Sequence, residues 1–360
     1  MSHSTSLEAE IAARLATLRV TLEAVRAELA LDPRSTVFDV DLVPDPEGLV
    51  LSGQTTDPDA LAALIRRLGV VAGAPLVDRV VRLPDAEAAG LHAAVRASIA
   101  PLHGEPRISS AQVSQYLIGD RLELLGRRDD WWRVRGYDGY HGWIHAGYLT
   151  TGDAAWARDW NPDSESDGVV SLGVDLVDDA GEPLARLPWG ARVMRAGTDR
   201  VRLPDGRVGQ VAHGELVPRG QLAQRFPASG PELARTALRW LGTPYLWGGI
   251  TPAGADCSGF VKAVCRLHGI DLPRDSDQQA RVGSAVEPGH DFSGCLPGDL
   301  LFFAERRERV THVALSLGGS RIVHSALSNG GVKIDDLRDD GELARRLSST
   351  FVAARRIVPS

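Results

Sequence analysis

Cys257 lies in the run Gly254-Ala255-Asp256-Cys257-Ser258-Gly259-Phe260, just after the loop Thr243-Pro244-Tyr245-Leu246-Trp247-Gly248-Gly249. Apolar residues at Phe260, Val261, Val264 and Leu267 predict a helix from Phe260 to His268, with the thiol in its first turn. There, unpaired backbone N–H groups and the positive end of the macrodipole favour a thiolate. His312, 55 residues further on, opens the apolar run Val313-Ala314-Leu315-Ser316-Leu317, and His324, 12 residues beyond it, closes Arg321-Ile322-Val323. A fold for this chain must bring one helix tip against the end of a hairpin. A thiol and two histidines so placed are the equipment of a thiol hydrolase.

The hairpin can be checked by register. Gly318-Gly319-Ser320 is a tight-turn sequence between Leu317 and Arg321. A three-residue loop pairs residues whose numbers sum to 638, so 312 faces 326 and 314 faces 324. Both histidines then share one sheet face as diagonal neighbours, ~7–8 Å apart at the backbone. A two-residue loop would put them on opposite faces, and the relay reading would fail.

Six segments in order resemble the NlpC-type cell-wall cysteine peptidases. They are PYLWGG at 244–249, ADCSGF at 255–260, PRDSDQQ at 273–279, PGDLLFF at 297–303, THVAL at 311–315 and VHSA at 323–326. The resemblance implies an α+β, papain-like catalytic domain over residues 229–360. It makes Cys257 the nucleophile, His312 the general base and acid, and His324 the residue that orients His312. Tyr245 matches the tyrosine beside the oxyanion site. The bond cut would join γ-D-glutamate to a diamino acid in peptidoglycan stem peptides, with no metal and no cofactor.

Cys265 and Cys295 are expected to be buried small hydrophobes. Three cysteines make neither a zinc pattern nor a disulfide framework. The length of 360 residues suits two to four domains, and a net charge of −7 argues against nucleic acid as a partner. Nothing approaches a membrane span, and the opening Met1–Ser6 has no positive or apolar leader, so a cytoplasmic location is expected. The sequence leaves the oligomeric state open.

Residues 1–90 predict a small αβ module, faintly similar to bacterial BON modules. Its signs are an apolar stripe through Leu18, Leu22 and Val25, strands at 38–42, 49–51 and 77–83, and a helix from Asp57. Residues 91–152 and 163–222 are β-rich, and the run from Trp131 to Leu149 resembles the end of a bacterial SH3-like barrel. Gln115 to Leu125 predicts an earlier hairpin there, and Leu184–Leu187, Ala191–Ala196 and Val208–Ala212 are expected strands of the second barrel.

Two SH3-like modules ahead of such a peptidase are similar to the dipeptidyl-peptidase branch of the family. In that branch the first barrel closes the non-primed end of the cleft and recognises a free N-terminal L-alanine. By motif position the resemblance places Glu105 and Tyr140 from the barrel, and Asp256, Ser258, Asp275 and Ser276 from the peptidase, around that ammonium. A buried ammonium needs such acceptors. The leading expectation is therefore trimming of released muropeptides. A secreted endopeptidase acting on intact wall, and a catalytically silent wall-fragment binder, are the alternatives.

Overall fold

The structure, a computed structural model, describes residues 2–29, 31–45, 48–72, 76–305 and 309–359, without the side chains of 2–14, 44, 45 and 48. The N-terminal module comprises α1 (Ser2–Leu29), β1 (Phe38–Asp45), β2 (Gly48–Thr55), α2 (Pro58–Ala72) and β3 (Val77–Arg82). β1 and β2 are antiparallel, whereas β3 lies parallel to β2. A parallel neighbour needs a crossover, which α2 supplies. Leu18, Leu22 and Val25 of α1 pack on Leu42, Leu51, Leu61 and Leu64, so the helical stripe meets the alternating faces of the strands.

Next come seven strands: β4 (His92–Val95), β5 (Ile99–His103), β6 (Gln112–Leu117), β7 (Arg121–Arg128), β8 (Trp131–Arg135), β9 (His141–His145) and β10 (Leu149–Gly152). They form one sheet in the order β10-β4-β7-β8-β9-β5-β6 around Leu102, Tyr116, Trp132, Val134 and Ile144. The hairpin expected over Gln115–Leu125 does not form, because β6 pairs with β5 while β7 pairs with β4 and β8. Gly119 (φ +93°) turns a corner there, and Asp120 holds it by accepting from the Leu117 N–H at 2.8 Å.

α3 (Ala154–Asp159) leads into β11 (Gly168–Val177), β12 (Pro183–Leu187), β13 (Arg192–Arg195), β14 (Arg200–Arg202) and β15 (Val208–Pro218). β11 pairs with β12, β13 and β15, which closes this second barrel. The short α4 (Leu222–Arg225) follows it.

The C-terminal unit begins with α5 (Gly230–Leu238), the two-residue strands β16 (Ile250–Thr251) and β17 (Gly254–Ala255), α6 (Cys257–Leu267), α7 (Ser276–Gln279) and β18 (Ser284–Ala285). It continues with β19 (Leu300–Phe303), β20 (His312–Gly318), β21 (Arg321–Ala326), β22 (Gly331–Asp336), α8 (Glu342–Thr350) and β23 (Phe351–Arg356). The sheet runs β18-β23-β19-β20-β21-β22 and is antiparallel throughout. On one face Val313, Leu315 and Val323 pack against Phe260, Val261, Val264 and Cys265 of α6. On the other, Ala314 and Ile322 meet Leu347 of α8 and Phe303. Among the described residues no helix is long and apolar enough to cross a membrane.

Candidate active site

Cys257 is the first residue of α6, and Asp256 is its N-cap, accepting from the Gly259 N–H at 2.7 Å. This first turn lies against the Gly248-Gly249 loop so closely that a Cβ on Gly259 would stand 2.1 Å from the Gly249 carbonyl oxygen. Asp256 also accepts from the Gly248 N–H at 2.8 Å and forms a two-pronged pair with the buried Arg274 at 3.1 and 2.6 Å. One carboxylate thus ties the helix tip, the preceding loop and Arg274 together, which fixes where the thiol points.

β20 and β21 pair Leu315 with Val323 and Ser316 with Ile322, the register summing to 638. Gly318, however, pairs with Arg321, so the turn is the two-residue Gly319-Ser320 rather than the expected three-residue loop, and a register shift between Ser316 and Gly318 keeps the parity. His312 and His324 therefore share a face, and His312 Nε2 lies 2.7 Å from His324 Nδ1. The chain continues: His324 Nε2 is 2.8 Å from Asp335 Oδ2, which also accepts from Asn329 Nδ2 at 2.6 Å. β22 sets Asp335 opposite Ile322, so it falls on the same face as His324.

These partners decide the tautomers. A carboxylate only accepts, so His324 carries its proton on Nε2 and offers a lone pair at Nδ1. His312 must then donate from Nε2, which leaves its Nδ1 lone pair free. His312 and Cys257 line the same cleft, of about 900 Å³.

Burial pushes the Cys257 thiol up to about 11, reinforced by the Asp256 carboxylate and only partly opposed by the Val313 and Ser258 N–H groups. Desolvation thus opposes the dipole end of the helix and works toward the neutral thiol. Burial likewise pushes His312 down to about 3, helped by the proximity of His324 and Arg346. With these shifts the cleft holds a neutral thiol and an unprotonated imidazole at neutral pH. Proton transfer between them makes a nucleophile without a proton from solvent. Burial, and next the neighbouring Cys257, raise the Tyr245 hydroxyl to about 12, so it stays a donor on the cleft wall.

The residues expected around an ammonium divide. Tyr140, Asp275 and Ser276 line the cleft, and the Tyr140 hydroxyl donates to Asp275 Oδ2 at 3.2 Å. Asp256 and Ser258 also reach it, but both are bound to Arg274, Ser258 Oγ accepting from it at 2.9 Å. Glu105 is not among the cleft residues: its carboxylate is 60% exposed and pairs with Arg107 at 2.7 Å. A motif position in a loop carries no information on which way a side chain turns, and here Arg107 holds it outward.

Sequence reasoning missed Asp335, Asn329 and Arg274 as site residues. It also missed Arg34, which enters the cleft wall from the N-terminal module. Asn329-Gly330 is a hairpin signal that would have announced β22. No local signal marks Arg34.

Residues 242–349 match the NlpC/P60 family and residues 100–150 match the bacterial SH3 domain. A gamma-D-glutamyl-L-lysine dipeptidyl-peptidase of Bacillus cereus is 26% identical over 280 residues, covering 68% of this chain and 75% of that protein. Dipeptidyl-peptidase 6 of Lysinibacillus sphaericus is 27% identical over 285 residues, covering 73% of this chain and 98% of its own length. The crystal structure of an NlpC/P60 family protein from Bacillus cereus superposes with a TM-score of 0.61 at 24% identity, covering 74% of this chain and 100% of that one, a likeness of fold.

Proposed function

We propose, for a chain that carries an NlpC/P60 domain behind a bacterial SH3 domain, that it is a cysteine peptidase cutting the bond between γ-D-glutamate and a diamino acid in peptidoglycan stem peptides. The observation that carries this reading is the relay in which His312 Nε2 meets His324 Nδ1 at 2.7 Å and His324 meets Asp335 at 2.8 Å, beside a cysteine at a helix tip. His312 Nδ1 takes the Cys257 proton, and the sulfur attacks the amide carbonyl. The Cys257 N–H, at a helix position with no intrahelical acceptor, receives the oxyanion, a contribution of about 3–4 kcal/mol per donor in comparable sites. Imidazolium at His312 protonates the leaving amine, and water, deprotonated by the same imidazole, hydrolyses the thioester and returns the proton to sulfur.

The finer reading is that the peptide carries a free N-terminal L-alanine and comes from released muropeptides. Its support is a non-primed end walled by Tyr140, Arg34 and Val113, with Asp275 and Ser276 as acceptors. It also agrees with the activity after which the Bacillus cereus relative is named. Incubation with L-Ala-γ-D-Glu-diaminopimelate and its N-acetylated form, followed by mass spectrometry, tests it. Cleavage of only the free-amine peptide is expected. Equal cleavage of both refutes the N-terminal selection, and cleavage of neither refutes the peptidase reading. Cys257→Ala should abolish turnover while leaving the circular dichroism spectrum unchanged.

A further inference from the structure

Between α1 and β1 the chain passes over the end of the cleft, and Arg34 reaches down from it. The Arg34 carbonyl accepts from the His141 N–H of the first barrel at 3.0 Å, which holds the loop in place. Its guanidinium meets three carboxylates. Nε donates to Asp32 Oδ1 at 2.8 Å and Nη2 to Asp32 Oδ2 at 2.7 Å. Nη1 donates to Asp275 Oδ2 at 2.9 Å and to Asp277 Oδ1 at 2.7 Å, and Nη2 also to Asp277 Oδ2 at 3.0 Å. A guanidinium has five N–H donors in a fixed fork, and all five are used. Arg34 has nothing left to give a substrate.

Its effect therefore passes through Asp275. That residue occupies the N-cap position of α7, where an aspartate ordinarily accepts from the helix N–H groups, yet its side chain makes no capping bond. Arg34 and the Tyr140 hydroxyl both hold Oδ2 instead, and among the described residues Oδ1 has no partner. Of the other cleft carboxylates, Asp256 is paired with Arg274, Asp277 gives both oxygens to Arg34, and the largely exposed Glu305 pairs with Arg346. Asp275 is thus the acid beside Tyr140 with an oxygen to spare.

We infer that Arg34 is a positioning residue, brought to the active site by the N-terminal module, that clamps Asp275 with one carboxylate oxygen free for the cationic amino terminus of the substrate. The inference rests on the reading that the cleft takes a free-amine peptide. It gives residues 31–37 a share in substrate selection, and it gives the N-terminal module a function in the reaction.

The test uses the full chain with Arg34→Ala, Arg34→Lys and Asp277→Asn, each compared with wild type on the free-amine and N-acetylated peptides. Arg34→Ala should raise KM for the free-amine peptide about tenfold with kcat nearly unchanged, because the clamp holds the acid but not the reacting atoms. The preference over the N-acetylated peptide should shrink by the same factor. Lysine, a point charge without a fork, should restore part of it. Asp277→Asn, which spares Arg34 itself, should show the smaller effect in the same direction and serves if Arg34→Ala does not fold. An unchanged KM and preference in the variants overturns the inference. So does a lower KM, which would mean the cation merely repels the substrate. Calorimetric binding of L-Ala-γ-D-Glu to Cys257→Ala, with and without Arg34→Ala, separates the two readings. If wild type cleaves neither peptide while Cys257→Ala binds the dipeptide, the peptidase reading fails and the clamp is judged on the binding ratio. No binding to Cys257→Ala overturns the clamp as well.

Discussion

Asp335→Asn tests the relay at its far end. Asp335 Oδ2 accepts from both His324 Nε2, at 2.8 Å, and Asn329 Nδ2, at 2.6 Å. An asparagine at this position has two ways to sit. With its amide nitrogen toward His324, the proton order of the relay reverses, His312 Nδ1 becomes protonated and the base is lost, a change on the order of 10⁴ in kcat in comparable triads. With its oxygen there, the order is kept and only the negative charge is lost. Asn329 favours the second, because an amide nitrogen placed at Oδ2 would face the Asn329 donor and require the Asn329 amide to turn over as well. The oxygen stays, and the loss is that of a charged acceptor replaced by a neutral one, about 1–1.5 kcal/mol. That is about five- to tenfold in kcat, with KM unchanged because Asp335 does not line the cleft. Steady-state kinetics on the free-amine peptide gives the answer. A kcat equal to wild type would show that the carboxylate does not act on His312. A loss beyond about 10³ would show that the amide turns its nitrogen inward and that Asn329 does not set the tautomer.

Three further outcomes follow from the same coordinates. Asp120→Asn removes the anion paired at 2.7 Å with Arg266, whose side chain is 10% exposed, and should destabilise the chain by about 3–5 kcal/mol in urea titration; a loss under about 1 kcal/mol would mean water reaches the guanidinium. Cys265→Ala, on the fully buried face of α6, should cost about 1 kcal/mol of stability in the same titration and leave kcat unchanged. Because His312 gains a proton only toward about 3 and Cys257 loses one only toward about 11, kcat should stay level from about pH 5 to about pH 9; an acid limb near the ordinary imidazole value would contradict the burial argument.

The His312–His324 geometry was legible because a hairpin leaves little freedom. Side chains alternate with a period of two, so Leu315 opposite Val323 agrees with the count, although the turn is one residue shorter than expected and a bulge before Gly318 makes up the difference. The β6–β7 corner was not, since Gln115–Leu125 has hairpin-like alternation, and only tertiary packing shows its strands leaving for different neighbours. The upward push on the Cys257 thiol was not legible for a related reason. A helix dipole is local and can be read from position, whereas desolvation depends on everything the tertiary fold closes over the sulfur. Arg34 lies furthest from any sequence signal, because its contact with Asp275 spans 241 residues and needs three units docked at once.

That docking has its own logic, written on the back of α6. Lys262 and Arg266 stand one turn apart on the helix that presents Cys257, with side chains 4% and 10% exposed. Each meets a buried acid of the first barrel, Lys262 with Asp138 at 3.2 Å and Arg266 with Asp120 at 2.7 Å, while Arg274 donates to Ser114 of the same barrel at 3.0 Å. Buried pairs add little net stability, but a mismatch leaves a dry, unpaired charge, so they select one docking over its neighbours. A slip of the barrel by one residue would strand both cations. The barrel that carries these acids also carries Tyr140, whose hydroxyl must meet Asp275 at 3.2 Å, and His141, whose N–H holds the Arg34 loop. The substrate-facing end of the cleft is therefore aligned from behind, by charges that no substrate touches.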